Sequence, residues 1–352
     1  MKNSFFKIFL TAFICAAVLS GCGKQQKNLS FHTELQQKYL AADYNSFLSF
    51  AKGAEELSVP DPIKISFKGN GSGSYSFVLS KTEDFTDKVT YSCGSESIEL
   101  YNLEIGQTYY YYAESGQYRT KTGTFTVDGT APRNLYIPGI TNVRDLGGWK
   151  TATGERVNQG LIFRSSKFNA DQSTESLLSA EGIRALKDLG IKTEIDLRTV
   201  DDNENGGITE SPIGENVKYC SVPLESGGNI ILLNKDKFKD IFAIFGNKDN
   251  YPIVFHCSIG TDRTGCLAFL INGLLGVPKE DLYRDFLFSN FGNIGGMRTN
   301  SIIKTYIDTV DKAGGSTLSD KIRNYLVSVG VDSKDIDTLL EVMSPAKEGV
   351  RE

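Results

Sequence analysis

A cysteine and an arginine are separated by five residues in the segment His-Cys-Ser-Ile-Gly-Thr-Asp-Arg-Thr-Gly, where the pair is Cys257 and Arg263. The apolar run 251–255 before them predicts a short buried strand, and the pattern of 264–275 after them predicts a helix. Backbone N–H groups in such a loop, together with a helix N-terminus, attract a bound dianion. A guanidinium can bind two phosphate oxygens at once, and the positive field favours a nucleophilic thiolate. We therefore predict that Cys257 takes part in phosphoryl transfer.

Three further motifs precede this loop. They read Asn-Val-Arg-Asp-Leu-Gly-Gly at 142–148, Gly-Leu-Ile-Phe-Arg-Ser-Ser at 160–166 and Ile-Asp-Leu-Arg at 195–198. With the cysteine loop, they resemble the bacterial atypical protein tyrosine phosphatases, whose loop reads His-Cys-x-x-Gly-Lys-Asp-Arg-Thr-Gly, over about residues 135–345. The resemblance implies a cysteine-dependent enzyme that hydrolyses phosphotyrosine and, in some members, phosphoinositides. The family's loop lysine is Thr261 here, which counts against a highly anionic phosphoinositide head group.

Each residue of the loop has a predicted role in this chemistry. Cys257 attacks phosphorus and forms a thiophosphate intermediate, which water then hydrolyses. Arg263 binds the equatorial oxygens and stabilises their transition-state charge, and Gly260 lets the loop turn. The phosphate is expected to lie against the backbone N–H groups of Ser258, Ile259, Gly260, Thr261, Asp262 and Arg263.

The leaving group needs a proton, and several aspartates are candidates for the general acid. The resemblance favours Asp262, which lies in the loop itself. Asp196, which ends a predicted strand, is the second candidate, and Asp201 and Asp202 in an Asp/Asn/Gly-rich loop are the third.

Side chains around the loop have predicted supporting roles. His256 is expected to brace the loop by hydrogen bonding rather than to transfer protons. Thr264 either donates a hydrogen bond to the Cys257 thiolate or caps the helix that follows. The single tryptophan, Trp149, is expected to pack in the interior. Arg144, Asp145 and Arg198 are expected to orient the loop through salt bridges. For Arg144 and Asp145, a purely structural role is an equally favoured alternative.

The N-terminus has the pattern of an export signal. Lys2 and Lys7 form a short basic region before an apolar run, 8–19. This run is too short to span a bilayer as a helix. The following Leu-Ser-Gly-Cys resembles a bacterial lipobox, which implies cleavage before Cys22 and lipidation of its thiol. Residues 1–21 are then a lipoprotein signal peptide, and the protein is expected outside the cytoplasm, anchored to a membrane. A plain secretory signal is the alternative.

Residues 22–54 are interpreted as an anchor and tether, with a helix predicted around 33–48. Residues 55–128 change character, because short alternating runs rich in β-formers are separated by Gly, Asn, Ser and Asp. This spacing predicts a small all-β sandwich. Within it, Leu103-x-x-Gly106-x-x-Tyr109 resembles the tyrosine corner of fibronectin type III-like domains. The four consecutive tyrosines 109–112 are expected to face core and solvent in alternation, with carbohydrate binding as the alternative.

Residues 133–347 are predicted to form the catalytic domain, after a linker around 128–132. Strand-like and helical stretches alternate there, which predicts an α/β fold with a central, mostly parallel sheet flanked by helices. Strands are predicted at 161–163, 193–197, 217–223 and 253–255, with helices at 173–189 and 235–245 and further helices over 279–343. The cysteine loop would then lie at the carboxyl ends of the strands, where α/β proteins bind ligands.

Composition narrows the function further. The 352 residues carry a formal charge of −5, which becomes −7 without the two lysines of the signal, and no basic stripe suggests nucleic acid as a partner. The cysteines lack the spacing of a disulfide framework or metal site, and there are only two histidines. We therefore expect neither metal nor cofactor. Open alternatives are a phosphatase for phosphoinositides or inositol phosphates, a phosphate-binding pseudophosphatase with an adhesion domain, and a rhodanese-type sulfur carrier; the oligomeric state stays open.

Overall fold

The structure is a computed structural model that describes residues 27–43, 46, 49–71, 73–199 and 204–345. The predicted signal peptide and Cys22 therefore lie outside the described residues, as do Asp201 and Asp202. Within the described part of the chain, no helix is both long enough and apolar enough to cross a membrane.

Strands and helices are distributed unevenly along the chain. The strands are β1 (Lys27–Leu29), β2 (Ile63–Ser66), β3 (Tyr75–Ser80), β4 (Val89–Cys93), β5 (Ser97–Leu100), β6 (Thr108–Ser115), β7 (Tyr118–Arg119), β8 (Gly123–Val127), β9 (Arg133–Asn134), β10 (Arg144–Asp145), β11 (Ile162–Ser165), β12 (Thr193–Asp196), β13 (Lys218–Ser221) and β14 (Ile253–His256). The helices are α1 (Glu34–Ala41), α2 (Ala180–Asp188), α3 (Ile230–Leu233), α4 (Phe238–Phe245), α5 (Asp262–Leu274), α6 (Lys279–Phe288), α7 (Asn300–Val310), α8 (Leu318–Ser328) and α9 (Ser333–Met343).

The N-terminal strands form two sheets. One has the order β1-β8-β6-β3-β4, with β7 paired to β6, and the other contains β2 and β5. Ile63 and Ile65 of β2 are buried while the residues between and after them are exposed, and they belong to the same apolar cluster as Phe77 and Phe125 of the larger sheet. The short alternating runs of this region form strands, as the sequence predicted. Helix α1 is shorter than predicted, because the chain turns into extended backbone at Ala42.

The C-terminal part is an α/β unit around a sheet with the order β13-β12-β14-β11-β10-β9. The four strands β11 to β14 are parallel, and β9 and β10 are antiparallel. Strands β11, β12 and β14 are buried along their whole length, as expected for strands with cover on both faces. The predicted mostly parallel sheet flanked by helices is thus confirmed. The predicted helix 173–189 is wrong in its first half, since Ser179 caps α2 and Ser176 before it forms an isolated β-bridge with Asn169.

Strand register brings distant motifs to one edge. Ser165 at the end of β11 and Asp196 at the end of β12 both pair with His256, the last residue of β14. The chain leaves β14 at this carboxyl edge, forms the loop 257–261, and enters α5. The second and third motifs therefore meet the cysteine loop at the carboxyl edge of the sheet, where the sequence predicted this loop to lie.

A segment between α1 and β2 also reaches this edge. We call residues 50–58 the strap. Gly53 N donates to Asn290 O at 2.8 Å, and Gly53 O accepts from Ile294 N at 3.2 Å. At the end of the strap, Ser58 Oγ accepts a hydrogen bond from Asn142 N at 3.2 Å. The strap thus contacts both the loop after α6 and the chain before β10.

Candidate active site

The loop 257–261 lies between the end of β14 and the N-terminus of α5. The Cys257 side chain is almost fully enclosed, with 2% of the residue exposed. Gly260 has φ of +68°, and a Cβ built on it would lie 2.4 Å from Ser165 O. A larger residue would meet both backbone strain and the end of β11, so the glycine is required for the loop to approach the sheet edge.

Two side chains hold carbonyl groups of this loop. Asn142 Nδ2 donates to Ile259 O at 3.1 Å and to Gly260 O at 3.0 Å. Arg164 Nη2 donates to Gly260 O at 2.8 Å. In a trans peptide unit the N–H points away from the C=O. Fixing these carbonyls from outside therefore aims the N–H groups of the next residues, Gly260 and Thr261, toward the opposite side, where an anion can be bound.

The two arginines beneath the loop share one buried carboxylate. Arg144 Nε lies 3.1 Å from Asp285 Oδ1, and Arg164 Nη1 lies 2.6 Å from Asp285 Oδ2. Burial acts to raise the pKa of Asp285, but the charges and hydrogen bonds of the arginines outweigh it, and the pKa is lowered. Burial and the neighbouring Arg144 lower the pKa of Arg164 to about 10. Asp285 thus compensates the charges of both arginines, so that both can support the loop. The sequence analysis did not predict a role for Asp285.

Arg263 is held by a carboxylate from a distant loop. Its Nη1 and Nη2 atoms lie 2.7 and 2.8 Å from Glu204 Oε2 and Oε1. The hydrogen bonds from Arg263 hold the pKa of Glu204 well below its usual range. Nε forms no hydrogen bond with any residue that the structure describes, and besides Glu204 the Nη2 atom has only a long hydrogen bond to Ser258 Oγ, at 3.4 Å. The Nε edge of the guanidinium can therefore bind two oxygens of a phosphate. Glu204 was missed in the sequence, where its only signal is its place in the acidic loop after β12.

The same carboxylate links Arg263 to the cysteine loop. Glu204 Oε1 accepts a hydrogen bond from Ser258 Oγ at 2.9 Å, and Oε2 accepts one from Thr199 N at 2.9 Å. The arginine, the first residue after the cysteine and the loop after β12 are therefore fixed to one another.

His256 and Asp196 belong to a buried polar cluster behind the loop. His256 Nε2 lies 2.9 Å from Glu194 Oε1, which agrees with a bracing role. Arg198 Nη2 lies 2.7 Å from Asp196 Oδ2, which also accepts from Tyr219 Oη at 3.0 Å. Burial acts to raise the pKa of Asp196, but His256 and Arg198 outweigh it and the pKa is lowered. A fully buried, ion-paired carboxylate has no proton to deliver, so the structure argues against Asp196 as the general acid.

Asp262, the favoured acid, is accessible but paired. As the first residue of α5 it lies beside Arg263, and 29% of its side chain is exposed. Arg298 donates to it from Nε and Nη2, each at 2.7 Å. Arg298 comes from the loop before α7 and was also missed, because nothing in its local sequence distinguishes it from a surface arginine.

A model of the tyrosine phosphatase family matches residues 135–344, which is more than half of the chain. The chain belongs to this family. The matched region contains the cysteine loop and every contact to it described above, except the strap.

Individual relatives are more distant. A Cupriavidus necator protein named "Putative tyrosine-protein phosphatase" is 27% identical over 185 residues, which cover 46% of this chain and 64% of the relative. A tyrosine-protein phosphatase of Nostoc commune is 28% identical over 129 residues, 30% of this chain and 42% of the relative. The chain thus spans less than two thirds of either relative. The solved core catalytic domain of the PP-IP phosphatase SIW14 from S. cerevisiae gives a TM-score of 0.30 at 21% identity, over 44% of this chain and 88% of that one.

The sequence-based argument about Thr261, which occupies the position of the family's loop lysine, needs a correction. Thr261 is fully buried, and its Oγ1 donates to Ile259 O at 3.3 Å and lies 3.4 Å from Asn142 Nδ2. Its hydroxyl therefore does not line an open pocket. The sequence-based argument assumed that this side chain faces the substrate, and the structure contradicts that assumption.

The structure places Thr264 and Arg198 differently from the prediction, and it favours the purely structural alternative for Asp145. The Thr264 hydroxyl has no hydrogen-bond partner among the described residues, so the predicted bond to Cys257 is not formed, and α5 has no side-chain cap. Asp145 pairs with Arg133 at 2.7 Å, away from the loop. Arg198 contacts Asp196 and the carbonyl of Glu204 rather than the cysteine loop. Trp149 is buried in the core, as predicted, and Arg144 supports the loop through Asp285 and Asn142.

The described residues contain no group of three or more His, Cys, Asp or Glu side chains arranged to hold a metal ion. Cys93, Cys220, Cys257 and Cys266 are free thiols.

Proposed function

We propose that this protein is a phosphoric monoester hydrolase, and that its substrates are phosphotyrosine residues of proteins. The observation that carries the proposal is the guanidinium of Arg263, which Glu204 fixes by its terminal nitrogens beside an enclosed Cys257. Membership of the tyrosine phosphatase family supports the same chemistry. An intact thiol and arginine disfavour a pseudophosphatase, and the arginine-linked loop is better suited to phosphate than to a sulfur carrier.

The reaction proceeds in two steps on the side chains of the loop. The Cys257 thiolate attacks phosphorus, an S–P bond forms, the P–O bond to tyrosine breaks, and protonated Asp262 gives its proton to the leaving oxygen. Water then attacks phosphorus and the S–P bond breaks. Asp262 accepts the proton of that water, and inorganic phosphate leaves. Arg263 and the loop N–H groups stabilise the charge on the equatorial oxygens in both steps.

Kinetics of two cysteine variants test this mechanism. Cys257→Ser should abolish turnover of phosphotyrosine peptides while binding of the peptide is retained, because Arg263 and the loop N–H groups remain. Cys220→Ser, which alters a half-buried thiol on β13, is the matched control and should keep activity. EDTA should leave the wild type active. Activity that persists in Cys257→Ser, or that disappears with the chelator, contradicts the thiol mechanism, and a higher kcat/KM for phosphoinositides than for phosphotyrosine peptides would reverse the substrate assignment.

We propose in addition that residues 1–21 are a lipoprotein signal, and that a lipid on Cys22 anchors the enzyme to a membrane outside the cytoplasm. The support is the basic start, the apolar run and the lipobox-like Leu-Ser-Gly-Cys. Metabolic labelling with a palmitate analogue should tag the wild type but not Cys22→Ala. Equal membrane partitioning of the two proteins would contradict the anchor.

We further propose that residues 55–128 are a fibronectin type III-like module. Two facing sheets and the Tyr109 hydroxyl, which accepts a hydrogen bond from Glu104 N at 2.9 Å, support this assignment. Expression of residues 27–128, which keeps β1 paired with β8, tests it, since an independent module should unfold cooperatively and an unfolded segment should not.

A further inference from the structure

Arg298 is a cation held in place at the edge of the cysteine loop. Its backbone N donates to Asn290 Oδ1 at 2.8 Å, and its carbonyl accepts from Asn290 Nδ2 at 2.9 Å. Asn290 is itself buried, with 3% of the residue exposed. The strap fixes the same loop through Gly53, which binds Asn290 and Ile294. Hydrogen bonds from Asn290 and from the strap therefore fix the loop that contains Arg298.

The guanidinium of Arg298 is only partly used. Asp262 occupies the edge formed by Nε and Nη2. Nη1 forms no hydrogen bond with any residue in the described part of the chain, and 20% of the side chain is exposed. The pKa of Arg298 is raised, first by the hydrogen bonds to Asp262 and further by the charges of Asp262 and Cys257. A second anion can thus reach this cation from solvent.

Catalysis changes the balance of charge at this pair. If Asp262 is the general acid, it is neutral when it donates its proton, and it then no longer compensates Arg298. A half-buried cation that loses its partner is costly, and a new anion beside it is favourable. A substrate that brings its own acidic group would supply that anion when the reaction needs it.

We propose that Arg298 forms a second anion subsite, which binds an acidic side chain of the substrate next to the phosphotyrosine. This inference rests on the proposed function. The chemistry recognised is a pair of anionic oxygens, which a glutamate or aspartate of a peptide provides.

Two phosphotyrosine peptides that differ only in the flanking residues, glutamate in one and alanine in the other, provide the test. For the wild type we expect a preference in kcat/KM of about tenfold for the acidic peptide, which corresponds to roughly 1.4 kcal/mol. The preference should weaken with added salt. In Arg298→Ala the preference for the acidic peptide should disappear, so that the ratio of the two kcat/KM values is about one. Arg298→Lys should keep part of the preference, because the positive charge remains but the bidentate geometry of the guanidinium is lost. The preference should remain unchanged in the control Arg323→Ala, which alters another arginine paired with an aspartate at 2.7 Å.

A purely positioning role for Arg298 gives a different result. If Arg298→Ala lowers kcat/KM for both peptides by the same factor, Arg298 acts only through Asp262 and the subsite does not exist. Titration of Cys257→Ser with the same peptides measures the preference without turnover, and equal affinities there also overturn the inference. A preference for inositol bisphosphate over monophosphate with no preference between the peptides would overturn the peptide assignment. Failure of the proposed function is seen separately, as the absence of Cys257-dependent turnover of both peptides.

Discussion

Glu204 binds the two terminal nitrogens of Arg263, at 2.7 and 2.8 Å, and leaves Nε without a hydrogen-bond partner among the described residues. The carboxylate therefore orients the arginine and does not compete for the edge that binds phosphate. The guanidinium is therefore already in place when the substrate arrives.

Glu204→Gln tests this orientation. The amide keeps the size of the side chain but presents one acceptor instead of two, so Arg263 should lose its fixed geometry. We expect kcat/KM for a phosphotyrosine peptide to fall by about 10- to 100-fold, as positioning defects do. Ser258→Ala removes a smaller contact to the same carboxylate and should have a weaker effect. Unchanged kinetics of Glu204→Gln would mean that Arg263 does not depend on the carboxylate.

The same pair predicts a pH dependence of stability. The pKa of Glu204 is lowered in the folded state, chiefly by hydrogen bonds from Arg263, whereas a glutamate in the unfolded chain titrates near ~4.3. A lowered folded pKa contributes stability above the unfolded pKa, and this contribution is lost as the pH falls toward the folded pKa. The difference in unfolding free energy between wild type and Glu204→Gln should therefore be constant at neutral pH and shrink below about pH 4. Denaturant unfolding at several pH values measures it, and a difference that grows on acidification would contradict the assignment.

Asp285→Asn should destabilise the protein strongly. The substitution leaves the buried charges of Arg144 and Arg164 without their shared anion, and loss of one partner of a buried ion pair costs about 3–5 kcal/mol. Asp308→Asn is the control, because its partner Lys304 is exposed and such pairs contribute about 0–1 kcal/mol. Chemical denaturation compares the two variants, and equal midpoints would show that the buried cluster does not stabilise the fold.

Gly53→Ala tests whether the strap supports catalysis. Gly53 has φ of +65°, and a Cβ there would lie 1.8 Å from Gly296 O, so alanine should separate the strap from the loop of Arg298. Gly116→Ala is the matched control, since its φ is +58° and nothing lies within 4 Å of the added Cβ. We expect Gly53→Ala to reduce kcat/KM by about tenfold or more, through misplacement of Arg298. Equal activity of the two variants would show that the site does not need the strap.

The sequence by itself determined the chemistry of the loop and much of the local structure. The thiol, the glycine and the arginine lie within one short segment, so their spacing alone predicts the chemistry of the loop. The parallel sheet could also be predicted, since strand-like stretches alternate with helical ones, and the cysteine loop was expected at the carboxyl ends of the strands.

Only the tertiary structure decided which carboxylates belong to the active site and which have a structural role. Asp196 looked like an acid because it ends a strand, but packing encloses it between Arg198, Tyr219 and His256. Asp285 and Arg298 had no local signature, and Glu204 had only its place in an acidic loop, because the importance of all three comes from contacts with residues far away in the chain. Burial and the pairing of charges set their roles, and both are properties of the folded chain.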